Sequence, residues 1–246
     1  MEQPTSTYLT AAEVAADLVH RVQELAPVWA AAQEGLDTRL LEALDAAPAE
    51  IMTRLDYAAF LDEFAGRHAE WVDGRVILMT PVSIKHQLIA QFLLKLLDEY
   101  ARLRDLGVVL SAPVQMRLRS LNRGREPDIM FVSNRNLHRL RPTYLDGPAD
   151  LAIEIVSPES IGRDRGEKYV EYAAAGVTEY WLIDPQRQQA EFYQLGADSH
   201  YRPTAPDAQG RYTTPALPGL WLAVDWLWQE PLPSVVTALR EIGALP

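Results

Sequence analysis

Leu151-Ala-Ile-Glu-Ile-Val156 sets a single carboxylate inside an apolar run of strand length, and no other segment constrains the chain as much. Successive side chains of a strand alternate between faces, so Glu154 shares its face with Ala152 and Val156 and opposes Ile153 and Ile155. A carboxylate among apolar neighbours is costly unless it is paired or binds a metal. Two explanations compete: an edge strand with one wet face, or a functional carboxylate. The apolar Ala152 and Val156 favour the second. Downstream, Arg163 to Ala175 reads as a helix with Asp164 near its start and Gly176 just past its end. Val177–Asp184 and Ala190–Leu195 follow as strands joined by Pro185-Gln-Arg-Gln-Gln189.

Upstream, Thr53 is a plausible N-cap for a helix from Arg54 to Ala65. Glu70 to Met79 reads as two strands around an Asp73-Gly74 turn, a strong hairpin signal. Ser83 caps a long helix reaching about Leu106 and ended by Gly107. Its apolar stripe is Leu88, Ile89, Phe92, Leu93, Leu96, Leu97, Tyr100 and Leu103. Strands are expected at Val108–Leu110, Val114–Leu118 and Asp128–Val132, an aromatic-rich segment at Leu217–Trp228 and a closing helix over Leu232–Ile242. Irregular alternation of strands and helices, hairpins included, predicts an α/β (α+β) architecture: a mixed β-sheet flanked by helices. The chain divides into an acidic helical extension (1–50), a main domain (51–230) and a C-terminal helix (231–246).

Charge bears on the partner. The net charge of −11 is unfavourable for nucleic acid, whose affinity comes largely from Lys and Arg on phosphates. That total is uneven: residues 1–50 hold nine acids against two arginines, a net of −7, leaving −4 for the remainder. Between Pro113 and Thr143 seven arginines face only Glu126 and Asp128, so a basic stretch brackets this acidic pair. The plain alternative is a solvated basic loop. Zero cysteines exclude disulfides, thiolate catalysis and cysteine-ligated zinc. With no run of 18 uncharged apolar residues and no basic-then-apolar leader at the N-terminus, the expectation is a cytoplasmic protein without a membrane span.

Several side chains are candidates for a site. Asp128 follows Pro127 and opens a strand, which suits either a turn aspartate or a ligand. Lys168 stands four residues after Asp164, the spacing of an ordinary intrahelical ion pair, but a helix packed over the sheet could aim it at the carboxylates. On its helix face lie Glu171, Tyr172 and Ala175. His86 sits in the first turn of the long helix, on the face of Ile89, Leu93 and Leu96, as a core histidine or a site residue. Glu70 is a strand-end glutamate or a further acid of the site. Asp164 reads as a helix cap with a secondary influence on the site, Asp184 as a turn residue, Tyr180 and Trp181 as core aromatics. Two carboxylates and a lysine near strand ends are the parts needed to hold a divalent cation and polarise a phosphate.

These segments together resemble the Uma-two family, a branch of the PD-(D/E)XK nuclease superfamily with a restriction-endonuclease-like fold. The matching stretches are Glu70-Trp-Val-Asp-Gly74, His86 after Ser83, Glu126-Pro-Asp128 and Leu151-Ala-Ile-Glu-Ile-Val-Ser-Pro158. They continue as Asp164-Arg-Gly-Glu-Lys-Tyr-Val-Glu-Tyr172 and Gly176-Val-Thr-Glu-Tyr-Trp-Leu-Ile-Asp-Pro185. The resemblance spans about residues 52–228 and implies an endonuclease that hydrolyses a phosphodiester, most simply in DNA, with Mg²⁺ or Mn²⁺. It implies Asp128 and Glu154 as metal ligands, the Ile155 carbonyl and Glu70 as further ones, and His86 as an accessory group. Where the superfamily pattern carries its lysine, two residues after the glutamate, this chain has Val156, and Lys168 is the replacement. Arg117, Arg119, Arg123 and Arg125 would contact the nucleic-acid backbone, and a homodimer would suit cutting both strands. Two other readings remain open: a non-catalytic binding or assembly module, and a hydrolase of small phosphate esters.

Overall fold

The computed structural model describes residues 50–51 and 55–246, so the expected helices of the acidic extension lie outside the described residues. The chain forms two units, Met1–Thr80 and Pro81–Pro246. In the first, β1 (Glu50–Ile51), α1 (Tyr57–Glu63), β2 (Ala69–Val72) and β3 (Arg75–Leu78) follow in order. Asp73 and Gly74 both take positive φ, 51° and 88°, which is what a two-residue hairpin turn matching the strand twist requires. The hairpin runs in the expected register, Ala69 opposite Leu78 and Val72 opposite Arg75, and β1 adds antiparallel to β3. Helix α1 starts later than expected because Asp56 is its cap: the carboxylate accepts from the Ala59 N–H at 2.8 Å. Phe60, Phe64, Trp71 and Val76 form this unit's core, and the Trp71 indole donates to the Leu55 carbonyl.

The larger unit begins with α2 (Ile84–Leu103), capped by Ser83, whose hydroxyl accepts from the His86 N–H at 3.2 Å. Next come β4 (Gly107–Ser111), β5 (Gln115–Leu118), β6 (Arg123–Arg125), β7 (Ile129–Ser133), β8 (Tyr144–Asp146) and β9 (Leu151–Ile155). They are followed by α3 (Tyr169–Ala175), β10 (Glu179–Asp184), β11 (Gln189–Leu195) and β12 (Tyr201–Pro203). The hairpin β13 (Arg211–Thr213)–β14 (Trp221–Ala223) and α4 (Val235–Ile242) complete the unit. Gly107 does not end α2. It opens β4, where any Cβ would sit 2.1 Å from the Val132 carbonyl oxygen, so the neighbouring strand's approach demands glycine.

The main sheet has the order β12-β11-β10-β9-β7-β4. Only β9 and β10 are parallel within it, and a parallel pair needs a crossover, here the segment ending in α3. A small side sheet holds β5 between antiparallel β6 and parallel β8. Strand β9 is therefore central, which removes the edge-strand explanation for Glu154. Alternation along the strands sorts the core into two layers. Ile129, Phe131, Ile153, Ile155, Trp181 and Ile183 pack under α2 and α4. Met130, Val132, Ala152, Val156, Tyr180 and Leu182 pack under α3, with Tyr172 and Ala173. Each such side chain withdrawn from water contributes about 1.5–3 kcal/mol before chain entropy is counted. Leu88 and Leu103, expected in the buried stripe of α2, are about half exposed. The helix expected over 163–175 is a wide π turn at Arg163–Lys168 followed by α3. Gly176, at φ 90°, ends it as expected.

Candidate functional site

The register of β7 on β9 places the two acids. Ile129 pairs with Ile153, so one step beyond the ladder Asp128 stands opposite Glu154, and both belong to the face that meets α3. Asp128 is fixed from two directions: its Oδ2 accepts from the Ile155 N–H at 2.7 Å and lies 3.3 Å from His86 Nε2. The Ile155 bond ties the aspartate to the strand that carries Glu154. His86 is buried at the start of α2, and its face also packs on the other layer of the core, so a core position and contact with the site coincide in one residue.

Glu154 meets the crossover segment. Lys168 Nζ lies 2.9 Å from its Oε1, and the Tyr172 hydroxyl donates to the same oxygen at 2.7 Å. Lys168 also reaches Asp164 Oδ1 at 3.4 Å, so the intrahelical pair and the approach to the strand carboxylate both occur. Glu154, Asp164 and Lys168 are each no more than 3 % exposed, whereas the Asp128 side chain keeps 22 %. Asp164 is no cap. The capping position falls on Gly162, and the carboxylate turns inward to the lysine. Burial first, and then the charges of Glu154, Asp164 and Asp128, hold the Tyr180 hydroxyl well above its ordinary pKa. Two carboxylates, Glu154 and Asp164, thus meet Lys168, and Asp128 stands opposite the first of them.

The other expected residues occupy several elements. Glu70 is fully buried on β2 of the smaller unit, opposite Ile77. Glu171, expected on the face of Lys168, turns toward β6, where Arg123 Nε and Arg125 Nε bind its two oxygens at 2.6 and 2.7 Å. Arg125 is completely buried and also bonds Glu167, while Arg117 is 8 % exposed and donates to the Arg123 carbonyl. Neither can reach a nucleic-acid backbone from these positions. Among the four arginines expected there, Arg119 has the most exposed side chain, and it forks onto both oxygens of Asp146. Asp184 caps its turn as expected, accepting from the N–H groups of Gln186 and Arg187, and Tyr180 and Trp181 are core residues.

Two participants were missed in this role, Asp164 as a buried partner and Tyr172 as a donor to Glu154. The signal was the spacing Asp164, Lys168, Tyr172, four residues at each step, which lines up one helix face.

The sequence model of the Uma2 family, described as "Putative restriction endonuclease", matches residues 54–225. The chain belongs to this family. One crystal structure, of "a putative nuclease belonging to DUF820 from Anabaena variabilis ATCC 29413", superposes with a TM-score of 0.57 at 18 % identity. It covers 68 % of this chain and 96 % of its own. The Uma2 chain shares that fold, an α+β arrangement of the restriction-endonuclease-like kind. No curated protein matches it. None of the described helices is long and apolar enough to cross a membrane.

Proposed function

We propose that this protein is a metal-dependent endonuclease that hydrolyses phosphodiesters of DNA. The observation that carries the proposal is the convergence of Asp128, Glu154 and Lys168 on one face of adjacent strands, with Lys168 Nζ 2.9 Å from Glu154. Three carboxylates against one lysine leave a surplus of negative charge that a divalent cation would offset, and carboxylate oxygens suit Mg²⁺ or Mn²⁺. Among the described residues no group of three or more His, Asp or Glu side chains forms a ready-made cage. Asp128 and Glu154 would hold the cation, with the Ile155 carbonyl as a further oxygen. When bound, the ion would make a coordinated water more acidic and offset charge on the phosphate.

The chain's own groups then have separate tasks. His86 and the Ile155 N–H fix the orientation of Asp128. Lys168 turns its N–H donors toward the phosphate oxygen on which charge develops. The apolar layer beneath Ala152 and Val156 excludes water from the back of the site and strengthens these interactions. Val156 is itself buried there, so a lysine at that position would enter the core, and the helix supplies the ammonium instead.

The test is cleavage of supercoiled plasmid with Mg²⁺, Mn²⁺ or EDTA. Asp128→Ala and Glu154→Ala should each lose at least about 100-fold of the metal-dependent rate. Wild-type rates in either variant would overturn the assignment. A second reading has one observation in its favour: Glu154 and Lys168 are nearly dry and already paired, as in a fold retained for binding or assembly. Failure of the wild type both to bind Mn²⁺ and to cut DNA would select it.

A further inference from the structure

Glu154 Oε1 takes two donors of different kinds. The Tyr172 hydroxyl lies 2.7 Å away and the Lys168 ammonium 2.9 Å away. We propose that Tyr172 is a positioning residue that retains Glu154 while Lys168 moves from the glutamate to the substrate phosphate; the proposal rests on the nuclease reading above.

Mobility and charge separate the two donors. Tyr172 is fully buried, and its ring meets the Tyr180 ring edge-on at 5.2 Å between centroids, so its hydroxyl has one place to be. It is neutral and little attracted to an incoming anion. Lys168 is a point charge on a four-carbon stem, with three donors to distribute, and already lies between two carboxylates, 2.9 Å from Glu154 and 3.4 Å from Asp164. A phosphate therefore recruits the lysine and leaves the tyrosine behind.

The exchange has a cost that Tyr172 reduces. A carboxylate of a buried residue, as Glu154 is, that loses a donor in a dry site is penalised far more than one in water. With the phenol still bonded, Oε1 stays satisfied and the carboxylate keeps its rotamer. Groups that orient a metal-binding carboxylate in this way typically alter metal affinity or activity by about 10–100-fold when removed.

Tyr172→Phe deletes only the hydroxyl. The full-length variant is compared with wild type for Mn²⁺ affinity by calorimetry, for kcat and KM on plasmid, and for melting temperature. The expected result is a loss of about 10–100-fold in Mn²⁺ affinity and in kcat, with KM little changed and the fold intact. Unchanged affinity and kcat, even with a lowered melting temperature, would reduce Tyr172 to a packing residue and overturn the proposal. Should the wild type bind Mn²⁺ yet cut nothing, the nuclease reading falls, and the affinity comparison still decides for or against Tyr172. Wild type that neither binds nor cuts removes both.

Discussion

Asp150 and Glu154 flank one strand at its two ends, and each is buried for a different reason. Asp150 is surrounded by donors that belong to the fold: the Ser133 N–H at 2.8 Å, the Asn136 amide at 2.8 and 3.0 Å, and Arg135 at 3.0 Å. Burial pushes its carboxyl up, but these bonds prevail and hold it below its ordinary value. A depressed folded pKa gives stability that is present above about pH 4 and lost as pH falls through the folded value. Asp150→Asn should therefore be less stable than wild type near neutrality by about 1–3 kcal/mol, with the gap closing below about pH 4. Denaturant titrations at several pH values measure this, and a gap independent of pH would show that the fold does not favour the ionised form of Asp150. Glu154 was readable as a functional acid because its apolar neighbours left it no wet face. The inward turn of Asp164 was not readable, since a spacing of four from Lys168 fits an exposed ion pair equally well.

At the level of elements, the segments with strong local signals stand where the sequence puts them: the Asp73-Gly74 hairpin, the Ser83 cap and the Gly176 stop each use chemistry confined to a few residues. The short strands β6, β8, β12 and β13, three residues apiece, carry too few positions for a period of two to register. The π turn is hidden because one extra residue hardly alters the apolar spacing of the segment. The fate of the arginines was invisible for another reason. Glu171 lies 46 residues from Arg125, and only the tertiary fold joins them. Their contact pins α3, and with it Tyr172, to the side sheet. Arg125→Ala should cost about 3–5 kcal/mol in chemical denaturation, because Glu171 then loses its fully buried counter-charge. Arg119→Ala, which breaks an exposed pair, should cost no more than about 1 kcal/mol. Equal costs would mean that α3 is held by packing alone.

For the molecule as a whole, the buried Glu154–Lys168–Tyr172 cluster sits where an apolar core would otherwise close under α3. Charge taken out of water is seldom recovered in full by pairing, and hydrophobic replacements of similar volume often stabilise a protein by about 1–4 kcal/mol. The quadruple variant Glu154→Met, Asp164→Leu, Lys168→Met, Tyr172→Phe, which leaves no carboxylate buried against a missing lysine, should thus melt above the wild type, and a lower melting temperature would refute the point. A charged cluster in the middle of a core layer makes this the place where replacement by apolar side chains would raise the melting temperature most readily.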